Sequence, residues 1–178
     1  MKKNAFPSQI CSVARALEVI GEWWTLLIIR EAFMGTCRFS DFEKTLGIAK
    51  NVLSCRLSKL VAEGIMERRA VIGRGNPGDY TLTEQGRDLL PVIITLMQWG
   101  DKWIHGTGHA PIRVLDRESG REIPPLQVLS AEGNPLTLAD LVIVPGPGAN
   151  EAICRRFGPG NETESAQSLL PEERGAQE

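Results

Sequence analysis

Residues 38–83, RFSDFEKTLGIAKNVLSCRLSKLVAEGIMERRAVIGRGNPGDYTLT, decide the fold. Ser40 and Glu43 have capping-box spacing, which predicts a short helix opening over Arg38–Glu43 and stopping at Gly47. Ala49 to Glu63 follows at once as a second helix, with Leu53, Leu57, Leu60 and Val61 on one stripe and Gly64 closing it. Ile65 to Ile72 and Tyr80 to Thr83 read as two strands, joined by Gly73-Arg74-Gly75-Asn76-Pro77-Gly78. Helix, tight turn, helix and then a hairpin with a basic tip is the order of a winged helix-turn-helix. That arrangement lays one helix in the DNA major groove and a β-hairpin beside it.

The face of the second helix opposite its leucine stripe carries Asn51, Cys55, Ser58, Lys59 and Ala62, with Ser54 and Arg56 on the flanks. It holds no acid before Glu63. A helix face that is merely wet mixes Glu and Lys at i,i+4, so a polar, cationic, acid-free face favours contact with phosphates and bases. Asn51, Ser54, Cys55, Ser58 and Lys59 are expected to face the groove, with Arg56 on phosphate or at the groove edge. Lys50 begins the helix, where free backbone N–H groups also attract phosphate. Arg68 and Arg69 are neighbours in the first strand and must leave opposite faces. Only one can face DNA, and the other is expected to pair with Glu67 or Glu63. Arg74, on the glycine-rich tip, suits the DNA backbone or the adjacent minor groove. Arg38 completes the set of candidate contacts. The glycine-rich tip lacks the Lys-Ser/Thr of a P-loop and opens a strand, which makes it a poor nucleotide cradle.

Outward from this centre, residues 8 to 20 read as a helix capped by Ser8, with Ile10, Val13, Ala14, Leu17 and Ile20 at helical spacing. Glu22 to Met34 is a second helix, apolar on nearly every side and so expected to be the buried post of the core, with Gly35 as its C-cap. Thr83 caps a helix from Glu84 to about Ile104, which Pro91 should kink or split. Its second part, VIITLMQWGDKWI, is apolar on more than one side, and a second copy of the chain is the simplest cover. From residue 106 short strands are predicted at Ile112–Leu115, Gln127–Leu129 and Leu141–Val144, making a small β appendage that must lean on the helices. The expected organisation is thus a winged, dimerising domain over 8–104, an appendage over 106–148 and a disordered tail over 149–178. A turn of helix at Asn150 to Phe157 is the one exception expected in the tail.

The bulk numbers agree. The chain has 178 residues, 42% of them apolar, which suits one core with an appendage. The net charge is −2, but residues 38–87 hold nine Lys/Arg against six Asp/Glu while the rest holds eleven against sixteen. A basic centre in an acidic chain fits a local phosphate-binding face. No apolar run reaches the length of a membrane span and no signal-peptide core follows Met1-Lys2-Lys3-Asn4, so a soluble, cytoplasmic protein without a membrane partner is expected. Cys11, Cys37, Cys55 and Cys154 show no CxxC spacing and read as free thiols. No nucleophile–base pair, carboxylate pair or metal set stands out. No catalytic residue, no metal and no cofactor is called for.

As a set, certain residues resemble the HxlR-type winged-helix regulators, relatives of the MarR group. They are Cys11, Glu22-Trp23-Trp24-Thr25-Leu26-Leu27-Ile28, Gly35 with Arg38-Phe39, Gly47-Ile48, Leu53 with Arg56-Leu57 and Leu60, Gly64, Tyr80-Thr81-Leu82-Thr83 with Gly86, and Trp99-Gly100. The resemblance spans residues 8–104. It implies a homodimer, built by the first and last helices, that binds double-stranded two-fold operator DNA and controls nearby genes. In some members a cysteine near position 11, often followed by Pro, senses electrophiles or oxidants. Here Ser12 follows Cys11, which is the candidate redox sensor, with a small buried apolar role as the alternative. Some members also end in a segment like a zinc ribbon. Here the matching turns, Ser119-Gly120 and Leu129-Ser130-Ala131-Glu132-Gly133, keep their glycines and lack every thiolate, so a ribbon held by packing alone is expected. The function expected is a DNA-binding transcription regulator, a dimeric repressor on a palindromic operator. The alternative is a winged-helix protein-interaction module that has lost specific DNA binding. Any small-molecule effector is unidentified; it should act between the dimer helices and the winged domain, where Trp23, Trp24, Trp99 and Trp103 bring aromatic area.

Overall fold

In the computed structural model, residues 11–70, 78–106 and 108–158 are described. The order is α1 (Ser12–Ile20), α2 (Trp23–Phe33), α3 (Phe39–Leu46), α4 (Lys50–Ala62), β1 (Met66–Arg69), β2 (Asp79–Leu82), α5 (Glu84–Arg87), α6 (Leu90–Gly100) and α7 (Glu151–Phe157). A turn of π-helix, Asp101–His105, prolongs α6. Two compact units divide between Leu126 and Gln127, inside the stretch expected as a single appendage.

The first unit is a winged helix. The turn between α3 and α4 needs a left-handed residue, and Gly47 supplies it at φ 63°. Leu53, Leu57 and Leu60 of α4 lie buried with Phe42 of α3, Ile28 and Ile29 of α2, Ile48, Ile65 and Met66. Burying each such side chain is worth about 1.5–3 kcal/mol, which is what holds the short helices in place. Val61, expected on the same stripe, is exposed instead. β1 and β2 pair antiparallel, with Met66 opposite Leu82 and Arg68 opposite Tyr80. The wing is anchored at its base, because Tyr80 N–H donates to the Cys37 carbonyl at 2.8 Å. Thr83 caps α5 as expected, accepting from Gly86 N–H at 3.1 Å. Pro91 splits the predicted long helix, standing in the first turn of α6 where its missing N–H costs nothing.

Two expectations fail for physical reasons, and a third lies outside the described residues. The Ser8 cap lies outside the described residues; α1 is seen from Ser12, with Cys11 as N-cap. No capping box forms at Ser40 and Glu43, because α3 begins at Phe39 with Arg38 as N-cap and Ser40 Oγ donates to Asp41 instead. α2 is not buried all round: Trp23 is 62% exposed and stacks on Trp24, their ring centroids 4.1 Å apart.

The predicted appendage strands are absent among the described residues; two bridged turns stand in their place. In the first unit, Leu115 bridges Glu122, and the Asp116 carboxylate accepts from the N–H groups of Glu118 at 2.7 Å and Ser119 at 2.8 Å. Gln98 of α6 holds the end of this stretch, donating to the Pro124 carbonyl and accepting from Leu126 N–H. In the second unit, Leu129 bridges Pro135, and Ser130 Oγ accepts from Glu132 and Asn134 N–H. In each turn a side-chain oxygen therefore gathers backbone N–H groups that point into the turn. Thr137 and Asp140 close a short 3₁₀ turn. Part of the expected tail is ordered, since Asn150 caps α7 through Ile153 N–H.

Candidate nucleic-acid interface

α4 is packed on the core by its leucines and so must turn its other side outward. Asn51, Ser54, Cys55, Ser58 and Ala62 are exposed there, spaced three and four apart along one side of the helix. Lys50, at the first helical position, is also exposed, with its ammonium 4.0 Å from Glu43. Arg38 stands exposed at the start of α3. The exposed strip thus offers amide and hydroxyl groups, which pair with base edges, and cations at its two approaches, which pair with phosphates.

Two of the residues expected on this strip are turned away from it. The Arg56 guanidinium lies 3.0 Å from the Glu22 carboxylate, its side chain only 20% exposed. Lys59 Nζ donates at 2.5 Å to the backbone carbonyl of Glu18. Both reach back to the corner between α1 and α2, because a long cationic side chain beside a free carboxylate or helix-end carbonyl gains more there than in water. This corrects the expectation for Arg56 and Lys59. Glu18 and Glu22 are the partners the sequence reading missed. The Glu22 carboxylate was visible in the sequence but could not be paired with Arg56 from it, and the Glu18 partner is a backbone carbonyl, which leaves no mark in the residue type.

The wing arginines separate as expected. Arg69 pairs with Glu67, its Nε donating at 2.7 Å, since both point to the same face of β1. Arg68 leaves the other face and rests over the Tyr80 ring, 5.8 Å from its centroid. Arg74 lies outside the described residues. Cys55 is exposed on the strip, and Cys11 is exposed at the start of α1 in the single chain. Cys37 sits half-covered at the base of the wing. Burial, and then the neighbouring Asp79 carboxylate, push its thiol above the ordinary value, which favours an inert structural thiol.

Away from the strip, an apolar surface is open. Val13 and Leu17 of α1 face outward, and Pro91, Val92, Thr95, Leu96 and Trp99 line an open groove of about 500 Å³ along α6. Trp99 is 55% exposed, and Trp103 and Ile104 in the following π turn are more so. No helix among the described residues is long and apolar enough to cross a membrane.

Comparison with known proteins gives the same architecture. Residues 19–107 match the HxlR-like helix-turn-helix family. The chain is similar to Rv3095 of Mycobacterium tuberculosis strain H37Rv, an uncharacterized HTH-type transcriptional regulator, at 41% identity over 137 residues, or 77% of this chain and 87% of that one. It is similar to YybR of Bacillus subtilis strain 168, another such regulator, at 32% identity over 56% of this chain and 82% of the relative. Among solved structures, PA1607, a candidate transcription factor, superposes with a TM-score of 0.72 at 38% identity, over 80% of this chain and 98% of that one. PA1374 of Pseudomonas aeruginosa, also a candidate transcription factor, gives a TM-score of 0.58 at 34% identity over 82% and 99%.

Proposed function

Because the chain belongs to the HxlR-like helix-turn-helix family of transcriptional regulators, we propose that it is a homodimeric repressor reading a two-fold-symmetric operator with α4. The observation that carries this is the outward strip of α4. Four polar side chains, Asn51, Ser54, Cys55 and Ser58, stand exposed at helical spacing over a buried leucine stripe, with no carboxylate among them. Asn and Ser carry the donors and acceptors that match base edges, and an acid-free strip lets phosphates approach. Lys50 and Arg38 at the helix starts, and Arg68 and Arg74 on the wing, supply phosphate contacts on either side. Arg69, engaged with Glu67, is a weaker candidate. The open apolar faces of α1 and α6 are the surface for the second protomer, which would set two copies of α4 about one DNA turn apart, as a palindromic operator requires.

The test is a selection of chromosomal fragments by the purified protein, followed by salt-dependent binding to the site recovered. Asn51→Ala and Ser58→Ala should each weaken that site by roughly 5–150-fold, the scale of one lost base contact, with little effect on unrelated DNA. Lys50→Ala should weaken all sequences alike and reduce the salt slope by about one. Recovery of no fragment, together with equal weak binding of every sequence, would point to the protein-interaction reading instead.

A further inference from the structure

Arg56 and Lys59 stand about one turn apart on α4, and the corner they grip is small. The Glu18 carbonyl belongs to the last turn of α1, whose carbonyls a helix cannot satisfy by itself. Lys59 fills that need and places its charge at the negative end of α1. One turn further on, Glu22 is the N-cap of α2 and holds Arg56. Gly21 between them closes α1, its N–H donating to the Leu17 carbonyl at 2.8 Å. The corner is therefore held at two points from α4. Along its length α1 presents Val13 and Leu17 to solvent. A single helix of nine residues thus carries exposed apolar side chains and, in its last turn, the tether of the reading helix.

We propose that Arg56 and Lys59 are positioning residues and not DNA contacts. They lock α4 to the α1–α2 corner, so the arrangement of the two protomers along α1 sets the spacing and tilt of the two reading helices. This inference rests on the DNA-binding reading above. It assigns Glu22 and the Glu18 carbonyl a part in operator selectivity although neither reaches DNA. To meet a phosphate, Arg56 would have to leave a partly buried ion pair, which costs more than an exposed cation would lose.

The experiment uses the full chain, the site recovered by selection, and versions of that site with one base pair added or removed between the half-sites. Glu22→Gln, Arg56→Met and Lys59→Met are each expected to weaken the native spacing about tenfold, the scale of a coupled pair, and to flatten the preference among spacings. The salt slope should stay unchanged, the Glu22→Gln/Arg56→Met double variant should be no worse than either single one, and the reversed pair Glu22→Arg/Arg56→Glu should recover the preference. If the pair is merely stabilising, its loss would lower melting temperature without altering spacing preference, and that result overturns the proposal. So does a salt slope reduced by about one in Arg56→Met with tighter binding by Glu22→Gln, the signature of a phosphate contact. Should the wild type bind no site, the DNA-binding reading fails by itself. Hydrogen exchange of the free protein then decides the clamp: Glu22→Gln should expose the amides of residues 18–22 and 56–60 together, and loss confined to one side refutes it.

Discussion

Trp99→Ala tests the assembly on which operator symmetry depends. Trp99 is 55% exposed and borders the apolar groove of α6 with Val92, Thr95 and Leu96. It lies outside the buried core cluster, so its loss should leave the winged domain folded. A tryptophan buries about 150–250 Å² when fully covered, so roughly 80–140 Å² remains for a partner to cover. At about 25 cal/mol per Å² that is worth ~2–3.5 kcal/mol per copy. A two-fold interface uses the residue twice, so the dimer loses up to ~4–7 kcal/mol, or about 10³–10⁵ in Kd. The assay is sedimentation velocity over a dilution series, with far-UV circular dichroism as a check on folding. Wild type should sediment as a dimer at micromolar concentration and the variant as a folded monomer. Operator affinity should fall with the loss of the second half-site, while weak binding to a single half-site persists. A wild-type monomer, or a variant that dimerises as well as wild type, would refute the assignment of α6 to the interface.

Three further outcomes are expected. Gly86→Ala should lower the melting temperature by about 3–10 °C, because its Cβ would meet the Ile65 carbonyl oxygen at 2.1 Å where α5 crosses the base of the wing; an unchanged melting curve would show that α5 moves freely. The Asp116 carboxyl is held below its ordinary value by the N–H groups of Ser119 and Glu118; a lowered value means the turn is secure above the ordinary carboxylate range and loosens as pH falls through the lowered one, and NMR titration of Asp116 at the ordinary value would contradict this. Cys11→Ser should bind the operator as wild type does and lose release by quinone or oxidant; equal release of both proteins would remove Cys11 from any switch.

Much of the fold was legible in the chain because local chemistry marks it. The leucines at 53, 57 and 60 repeat at helical spacing, Gly47 and Gly64 end their helices, Thr83 caps the next, and Pro91 breaks the long helix and stands in the first turn of α6. These signals need no knowledge of what lies across the core. The same holds for the opposite faces of Arg68 and Arg69, which follow from strand geometry alone. Where the reading went astray, the missing quantity was always a neighbour. Leu141 to Val144 has the composition of a strand, but a strand exists only with a partner to pair its backbone, and none forms among the described residues. The apolar circumference of α2 did not bury Trp23, because the surface that would cover it is not supplied by the described part of one chain. Ser40 and Glu43 had the right spacing for a cap, but α3 starts at Phe39, so Ser40 already stands inside the helix it would have capped.

The candidate site divides the same way. Which face of α4 is outward was fixed by the leucine stripe, and so the exposure of Asn51, Ser54, Cys55 and Ser58 was readable from spacing alone. The destinations of Arg56 and Lys59 were not. Both sit where an isolated helix would point them to solvent, and only the packing of α2 against α4 brings Glu22 and the end of α1 within their reach. A flexible cation goes to whichever carboxylate or carbonyl the fold places within a few ångströms. Periodicity along one helix carries no information about the end of another, so that choice belongs to the tertiary structure.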